Sequence, residues 1–183
     1  MAAINPDGAL FSSDFRAPER LFALLMQAAG RAGRDAAQAA KSEMWIQTWN
    51  PKHALYAALK ANDFAAFAAS QLAERRAAGL PPFSHLALLR AEAKSADVAA
   101  AFLADASAAA HDSPGADAVT IYAAVPPAVP RVADVDRLQM LVEATSRPAL
   151  QRFLAGWLGT LHALRSQHKG LLRWAVDVDP LAI

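Results

Sequence analysis

The sequence predicts an α+β protein, and three observations carry that prediction. From about Pro82 onward, stretches with alternating apolar residues and stretches with helical apolar spacing follow one another in the order β-α-β-β-α-β. Before that point the apolar residues keep mainly to helical spacing, interrupted by one short strand-like run. Between the two regions, Leu80-Pro81-Pro82-Phe83 cannot continue a helix, because each proline lacks a donor and biases the preceding residue to extended geometry. A domain boundary is placed there, giving three parts: 1–51, a helical connector at 52–81, and 82–183.

The first segment, to about Ser13, is punctuated by Gly, Pro, Asp and Ser and reads as a loop without a partner of its own. Pro18 suits the first turn of a helix, and Glu19 lies near its positive end. Leu21, Phe22, Leu24, Leu25 and Ala28 form an apolar face, with Gly30 placed where the helix could stop. After an Arg- and Ala-rich connection, Met44-Trp45-Ile46-Gln47-Thr48-Trp49 reads as a short strand closed by Asn50-Pro51. From His53 to about Ala78 the spacing is helical again, with Asn62-Asp63 as a break and Gly79 as the end.

The last hundred residues have a rhythm of their own. His85 to Glu92 reads as a strand, Ala96 to His111 as a helix, and Ser113-Pro114-Gly115 as a turn. Val119 to Val125 and Leu138 to Ala144 are the next strands. Ser146 can cap a helix whose stripe is Leu150, Phe153, Leu154, Trp157, Leu158, Leu161 and Leu164, and Leu172 to Val178 alternates as the final strand. This order is the split βαβ, or ferredoxin-like, arrangement. Its two helices would cover one face of a four-stranded antiparallel sheet and leave the other face for solvent or a partner.

Composition narrows the function classes. The chain has 183 residues, 55% hydrophobic and 19% charged, with a net charge of +1 and no cysteine. A chain of this length sustains a core without disulfides. Alanine supplies about a quarter of the residues, and every apolar run stops well short of the ~18 residues a membrane span needs. Thiolate metal sites and cysteine nucleophiles are excluded within the chain. No basic segment followed by an apolar one marks a secretory signal, so the cytoplasm is the default compartment. Thirteen of the 18 basic residues are Arg, the better phosphate ligand by geometry, although the charge balance itself points to no polyanion.

One local pattern carries chemistry: Gln27-Ala28-Ala29-Gly30-Arg31-Ala32-Gly33-Arg34. Two arginines three apart, beside small residues that let backbone approach closely, suit guanidinium contacts to phosphate oxygens. The plainer reading makes Gly30 a helix C-cap and the arginines solvated. The flanks extend the pattern. Asp14-Phe15-Arg16-Ala17-Pro18-Glu19-Arg20, the Gln27–Arg34 stretch, and Ile46-Gln47-Thr48 with Pro51 and His53 resemble the end of the second motor domain of the primosomal protein N′ family of replication-restart DNA helicases. Glu74-Arg75-Arg76 with Leu80-Pro81-Pro82-Phe83 is similar to that family's E-R-R-x-x-x-L-P-P-aromatic junction. Trp174-Ala175-Val176-Asp177-Val178-Asp179-Pro180 is similar to its terminal W-x-x-D-V-D-P strand. The matches run in order from about Asp14 to Pro180.

The resemblance implies a C-terminal portion of such a helicase. Residues 1–51 would be the tail of a RecA-like lobe containing motif VI, with Arg31 and Arg34 facing the ATP γ-phosphate and Gln27 ordering them. Residues 82–183 would be an S10-like domain. ATP and Mg would belong to the complete parent protein and none is expected for this chain alone, since no G-x-x-x-x-G-K-[ST] loop or D-E-x-H metal motif occurs in it. The family's zinc-binding cysteines would lie upstream. The resemblance further implies contact with forked or single-stranded DNA, with other primosome proteins, and with the acidic-hydrophobic tail of single-stranded-DNA-binding protein. For that tail the matching residues are Arg147 and Gln151, in Ser146-Arg147-Pro148-Ala149-Leu150-Gln151, where an Arg beside a positive helix end suits a terminal carboxylate. In Arg131-Val132-Ala133-Asp134-Val135-Asp136-Arg137, two carboxylates largely cancel two arginines, which weakens phosphate contacts. A reading from another class is a free-standing non-enzymatic ferredoxin-like module for protein or RNA.

The remaining candidates carry less. The five histidines show no metal-ligand spacing, so no metal site is predicted. Asp177 and Asp179 alternate along the last strand onto one face, a disposition usable for acid–base work, although strand-end carboxylates before Pro commonly bind local N–H groups. Core packing accounts for the four tryptophans. A truncated lobe would leave Leu21, Phe22, Leu25 and Ile46 short of packing partners.

Overall fold

A computed structural model describes residues 1–12, 14–32, 43–181 and 183, and the chain divides after Ala78 into two compact units. In the first, a short strand β1 (Ala2–Ile4) pairs in parallel with β2 (Trp45–Gln47), Ala2 opposite Trp45 and Ile4 opposite Gln47. The amino-terminal segment therefore has a partner, contrary to the loop expected from its composition. That partner lies some forty residues away, where no local pattern reveals it.

Helix α1 (Asp7–Leu10) precedes α2 (Ala17–Ala32), and the connector forms α3 (Ala54–Ala61) and α4 (Phe64–Ala78). Pro18 sits in the first turn of α2 as its fixed φ predicts. Gly30 does not end the helix, which runs on to Ala32; its φ is not positive, and an added Cβ there would meet nothing within 4 Å. The Asn62-Asp63 break is real and has a local cause. Asn62 adopts φ 55°, and the Asp63 carboxylate accepts the Ala66 N–H at 2.9 Å to start α4. The His53 Nδ1 accepts the Leu55 N–H at 3.2 Å in the same way for α3.

These helices give the first unit its own core, which corrects the expectation of unpacked residues. Leu21, Phe22 and Leu25 of α2 are buried against Leu10, Leu55, Ala58 and Phe67, with Ile46 packed at the edge of the cluster. The rings of Phe22 and Phe67 stack with centroids 4.3 Å apart. Arg75 of α4 ties the start of α2 down: its Nη2 lies 2.7 Å from Glu19 Oε1 and 3.3 Å from the Phe15 carbonyl oxygen, and its guanidinium covers the Phe15 ring. The connector helices thus complete the packing of α2.

Asp7 joins α1 to the segment after β2. Its carboxylate accepts hydrogen bonds from Thr48 Oγ1 (2.7 Å), the Trp49 N–H (3.0 Å) and Asn50 Nδ2 (3.0 Å). The Asn50 and Thr48 bonds hold its pKa below the ordinary 3.8. A carboxyl lowered on folding contributes stability above its unfolded pKa and loses it as pH falls through its folded value. The first unit is expected to weaken below about pH 4, and Asp7→Asn to flatten that acid limb in a denaturation series. An unchanged acid limb in the variant would assign the loss to other carboxylates.

The second unit is a single antiparallel sheet with two helices on one face. Strand β3 (His85–Ala93) is followed by α5 (Ala96–Ala110), a 3₁₀ turn (Ala116–Ala118), β4 (Thr120–Ile121), β5 (Arg131–Val132), β6 (Val135–Ala144), α6 (Arg147–Arg165) and β7 (Leu171–Val178). The spatial order is β4-β6-β3-β7, with β5 folded back onto β6. Ala87, Leu89, Ala91 and Ala93 of β3 meet Phe102, Leu103 and Ala106 of α5 and Leu150, Phe153, Trp157 and Leu161 of α6. Trp157 is fully buried and donates its Nε1–H to the Ala106 carbonyl at 3.0 Å. The two tryptophans of the first unit are not core residues: Trp45 is 69% and Trp49 88% exposed.

Two strand boundaries differ from the sequence reading. The run from Val119 gives only β4 and, farther on, a lone bridge from Val125 to Gln139. Strand β6 begins three residues before Leu138, because Ala133 and Asp134 take φ 47° and 60° and close a tight hairpin with β5. Such a turn ordinarily announces itself by Asn-Gly or Asp-Gly, which Ala-Asp does not supply.

Candidate partner-binding site

Helix α6 presents two of the predicted residues side by side. Its apolar stripe, buried from Leu150 to Leu161, fixes the rotation of the helix and leaves Arg147 and Gln151, one turn apart, exposed at its start. Ser146 occupies the N-cap position with extended backbone but makes no side-chain cap bond. The first-turn N–H groups therefore keep their positive end without a side-chain acceptor from the cap.

Arg147 is already engaged. Its Nη2 lies 2.8 Å from Asp179 Oδ2, with the two side chains 55% and 41% exposed. Asp179 is held by its backbone: φ is 55°, and its N–H donates to the Leu86 carbonyl at 2.9 Å where β7 leaves β3. An ion pair this exposed contributes at most about 1 kcal/mol, so an external carboxylate can exchange for Asp179 at little cost. Asp177 instead pairs with Arg90 at 3.0 Å, so the two aspartates expected to share one face serve different arginines. The separation is physical: Val178 ends the strand, and the left-handed turn at Asp179 takes its side chain out of the alternation.

The residues expected to face phosphate divide. Gln27 and Arg31 lie one turn apart on α2, both exposed, on the side away from Phe22 and Leu25, and Arg31 makes no ion pair among the described residues. Arg34 lies outside the described residues. Among the described residues, these two exposed side chains on one helix form no enclosure for a triphosphate. No group of three His, Asp or Glu residues that could hold a metal ion occurs among the described residues. In the β5–β6 hairpin, Arg131 is paired with Asp134 at 3.1 Å and Asp136 at 3.9 Å, and Arg137 with Glu92 at 3.4 Å. These charges are paired with one another within the second unit.

Residues 76–181 match the family described as Primosomal protein N C-terminal domain. The chain belongs to the primosomal protein N family. It is similar to Replication restart protein PriA of Haemophilus influenzae, 38% identical over 180 residues, which is 98% of this chain and 24% of the relative. It is likewise 37% identical to the protein of that name from Treponema pallidum over 179 residues, 97% of this chain and 26% of the relative. A shorter match, 35% over 89 residues, relates it to that of Bacillus subtilis. The chain spans about a quarter of the length of the first two relatives. The family match covers α6, Asp179 and the whole sheet of the second unit. Among the described residues no helix is long and apolar enough to cross a membrane.

Sequence reasoning missed the tie between Arg147 and Asp179. The two lie in separate motifs, each noticed for itself, and only the packing of α6 beside the end of β7 brings them together.

Proposed function

We propose that the chain is the partner-binding C-terminal portion of a replication-restart DNA helicase, with Arg147 and Gln151 receiving the acidic-hydrophobic tail of single-stranded-DNA-binding protein. The observation that carries this reading is an Arg at the first position of α6, flanked by Gln151 and paired, among the described residues, with an exposed carboxylate, inside the segment that matches the family. A C-terminal carboxylate of the tail would take the place of Asp179 on the guanidinium, aided by the positive helix end. The antiparallel order β4-β6-β3-β7, with both helices on one face, supports a ferredoxin-like, S10-like reading of the second unit.

In the first unit, Gln27, Arg31 and Arg34 are the motif VI contribution to ATP binding by the complete helicase. Lacking a phosphate cradle, the chain by itself hydrolyses no ATP. Forked or single-stranded DNA and other primosome proteins are further partners, the DNA contact being weak because the hairpin charges are internally paired. Titration of the chain with a peptide ending in acidic residues followed by Pro-Phe tests the reading. Saturable binding that Arg147→Ala weakens about tenfold or more supports it, in keeping with a charge-assisted hydrogen bond. Binding indifferent to Arg147→Ala, or none, overturns it.

A further inference from the structure

The second unit carries an edge that the proposed function does not use. Among the described residues, strand β7 pairs with β3 on one side only and is the last strand of the sheet. The Asp179 N–H bonds to Leu86, which fixes the phase of the ladder: opposite pairs at Arg90–Ala175 and Glu92–Arg173 turn their backbone groups toward β3. Trp174 and Val176 therefore direct their N–H and C=O groups away from the sheet. Natural edges of this length are commonly blunted by charged side chains, Lys above all, by Pro or by a bulge, and the charges of β7 are one Arg and one Asp of opposite sign. Leu171–Val178 contains neither Lys nor Pro, and its one register shift, beside Leu172, leaves the stretch from Arg173 to Asp177 regular.

The face of this edge turned away from the helices carries a row of alternating charge. Arg137 lies opposite Glu92 and Glu92 opposite Arg173, so the row reads plus, minus, plus across β6, β3 and β7 and then stops. Arg173 is exposed and makes no ion pair among the described residues, while Asp177 lies four residues on along the same face. A shallow groove of about 310 Å³ follows the edge, lined by Arg90, Glu92 and Arg173 to Asp177.

We propose that β7 is a self-association edge, to which β7 of a second copy of this chain adds antiparallel about a two-fold axis at Ala175. This register is selected by two independent conditions. The outward backbone groups of Trp174 must meet those of Val176 in the partner copy, which requires even-numbered residues to face even-numbered ones. Among such registers, the one centred on Ala175 places Arg173 of each copy opposite Asp177 of the other, at non-hydrogen-bonded positions where side chains approach most closely. The charge row then continues from Arg173 onto a partner carboxylate, twice by symmetry. The four charged residues lining the groove sum to zero, which favours a self-complementary strand over a polyanion or an acidic peptide.

An edge-to-edge contact of this kind is small, so the dimer is expected to be weak, with a Kd of about 10–1000 µM. Sedimentation equilibrium of the full chain over that range should show a shift from one to two chain masses. R173E and D177K each set like charges against each other at both symmetric contacts and should each weaken the dimer about tenfold or more. Mixed together they restore both opposite pairs, so an equimolar mixture should dimerise where neither does alone. R173Q and D177N replace the reversals if circular dichroism shows that either reversal unfolds. A chain that stays monomeric throughout, a dimer that persists in both variants, or a mixture that fails to re-associate would each overturn the proposal.

Discussion

Trp157→Ala is expected to cost the second unit about 3–5 kcal/mol, a large share of the ~5–15 kcal/mol that holds a typical domain. The indole is fully buried between α5, α6 and the sheet, its ring 5.2 Å from that of Phe153. Truncation opens a cavity that the helices cannot close, because α6 already approaches the preceding loop tightly: a Cβ on Gly156 would lie 3.2 Å from the ring of Pro114. The lost hydrogen bond to Ala106 adds only about 1 kcal/mol, since that carbonyl retains a helical environment. Trp157→Phe separates the two contributions, retaining most of the ring while removing the donor. Urea unfolding followed by circular dichroism should show a midpoint shifted far down for Ala and modestly for Phe, with the slope preserved. A midpoint for Ala close to the parent would mean that α6 is not anchored through this ring, and the placement of Arg147 and Gln151 would lose its basis.

Phe22→Ala is the corresponding expectation for the first unit. The ring is 2% exposed and stacked on Phe67, and Leu10, Leu21, Leu25, Leu55 and Ala58 complete the buried apolar cluster. The transfer and cavity terms again predict about 3–5 kcal/mol, but from a smaller core with less in reserve. The first unit should open while the second stays folded, so limited proteolysis should cut within 1–78 and leave 79–181 intact. Equal resistance of the variant and the parent would contradict an independent core in the first unit.

Both expectations rest on parts of the fold that are differently legible in the sequence. The elements of the second unit follow directly from period: β3, α5, α6 and β7 lie within a residue or two of where apolar spacing puts them, because each buries one face or stripe against the same core. The turn at Ser113-Pro114-Gly115 is equally plain, with Gly115 at φ 84°. Pairings across long separations were not legible. β1 finds β2 through backbone bonds that any residue can make, and Arg75 reaches Phe15 and Glu19 from sixty positions away. The hairpin at Ala133-Asp134 was hidden because its residues enter the left-handed region without the glycine or asparagine that usually signals it. Trp45 and Trp49 misled for a simpler reason: aromatic residues at strand spacing suggest a core, but Trp45 on the two-stranded ribbon and Trp49 just beyond it are both exposed.

The candidate site shows the same division. Arg147 and Gln151 were singled out by the resemblance to the family, and their four-residue spacing on α6 sets them on one face of the helix. Asp179 was not legible as the group that holds Arg147, since that role depends on a left-handed turn after the last strand.

The most direct test of the account compares two forms of one peptide, ending in acidic residues followed by Pro-Phe, with the terminal carboxyl free or amidated, titrated into the whole chain by fluorescence anisotropy. If Arg147 at the head of α6 recognises a terminal carboxylate, the free acid should bind about tenfold or more tightly than the amide, and Arg147→Ala should erase that difference. Equal binding of the two forms, or a preference for the free acid that survives Arg147→Ala, would contradict it.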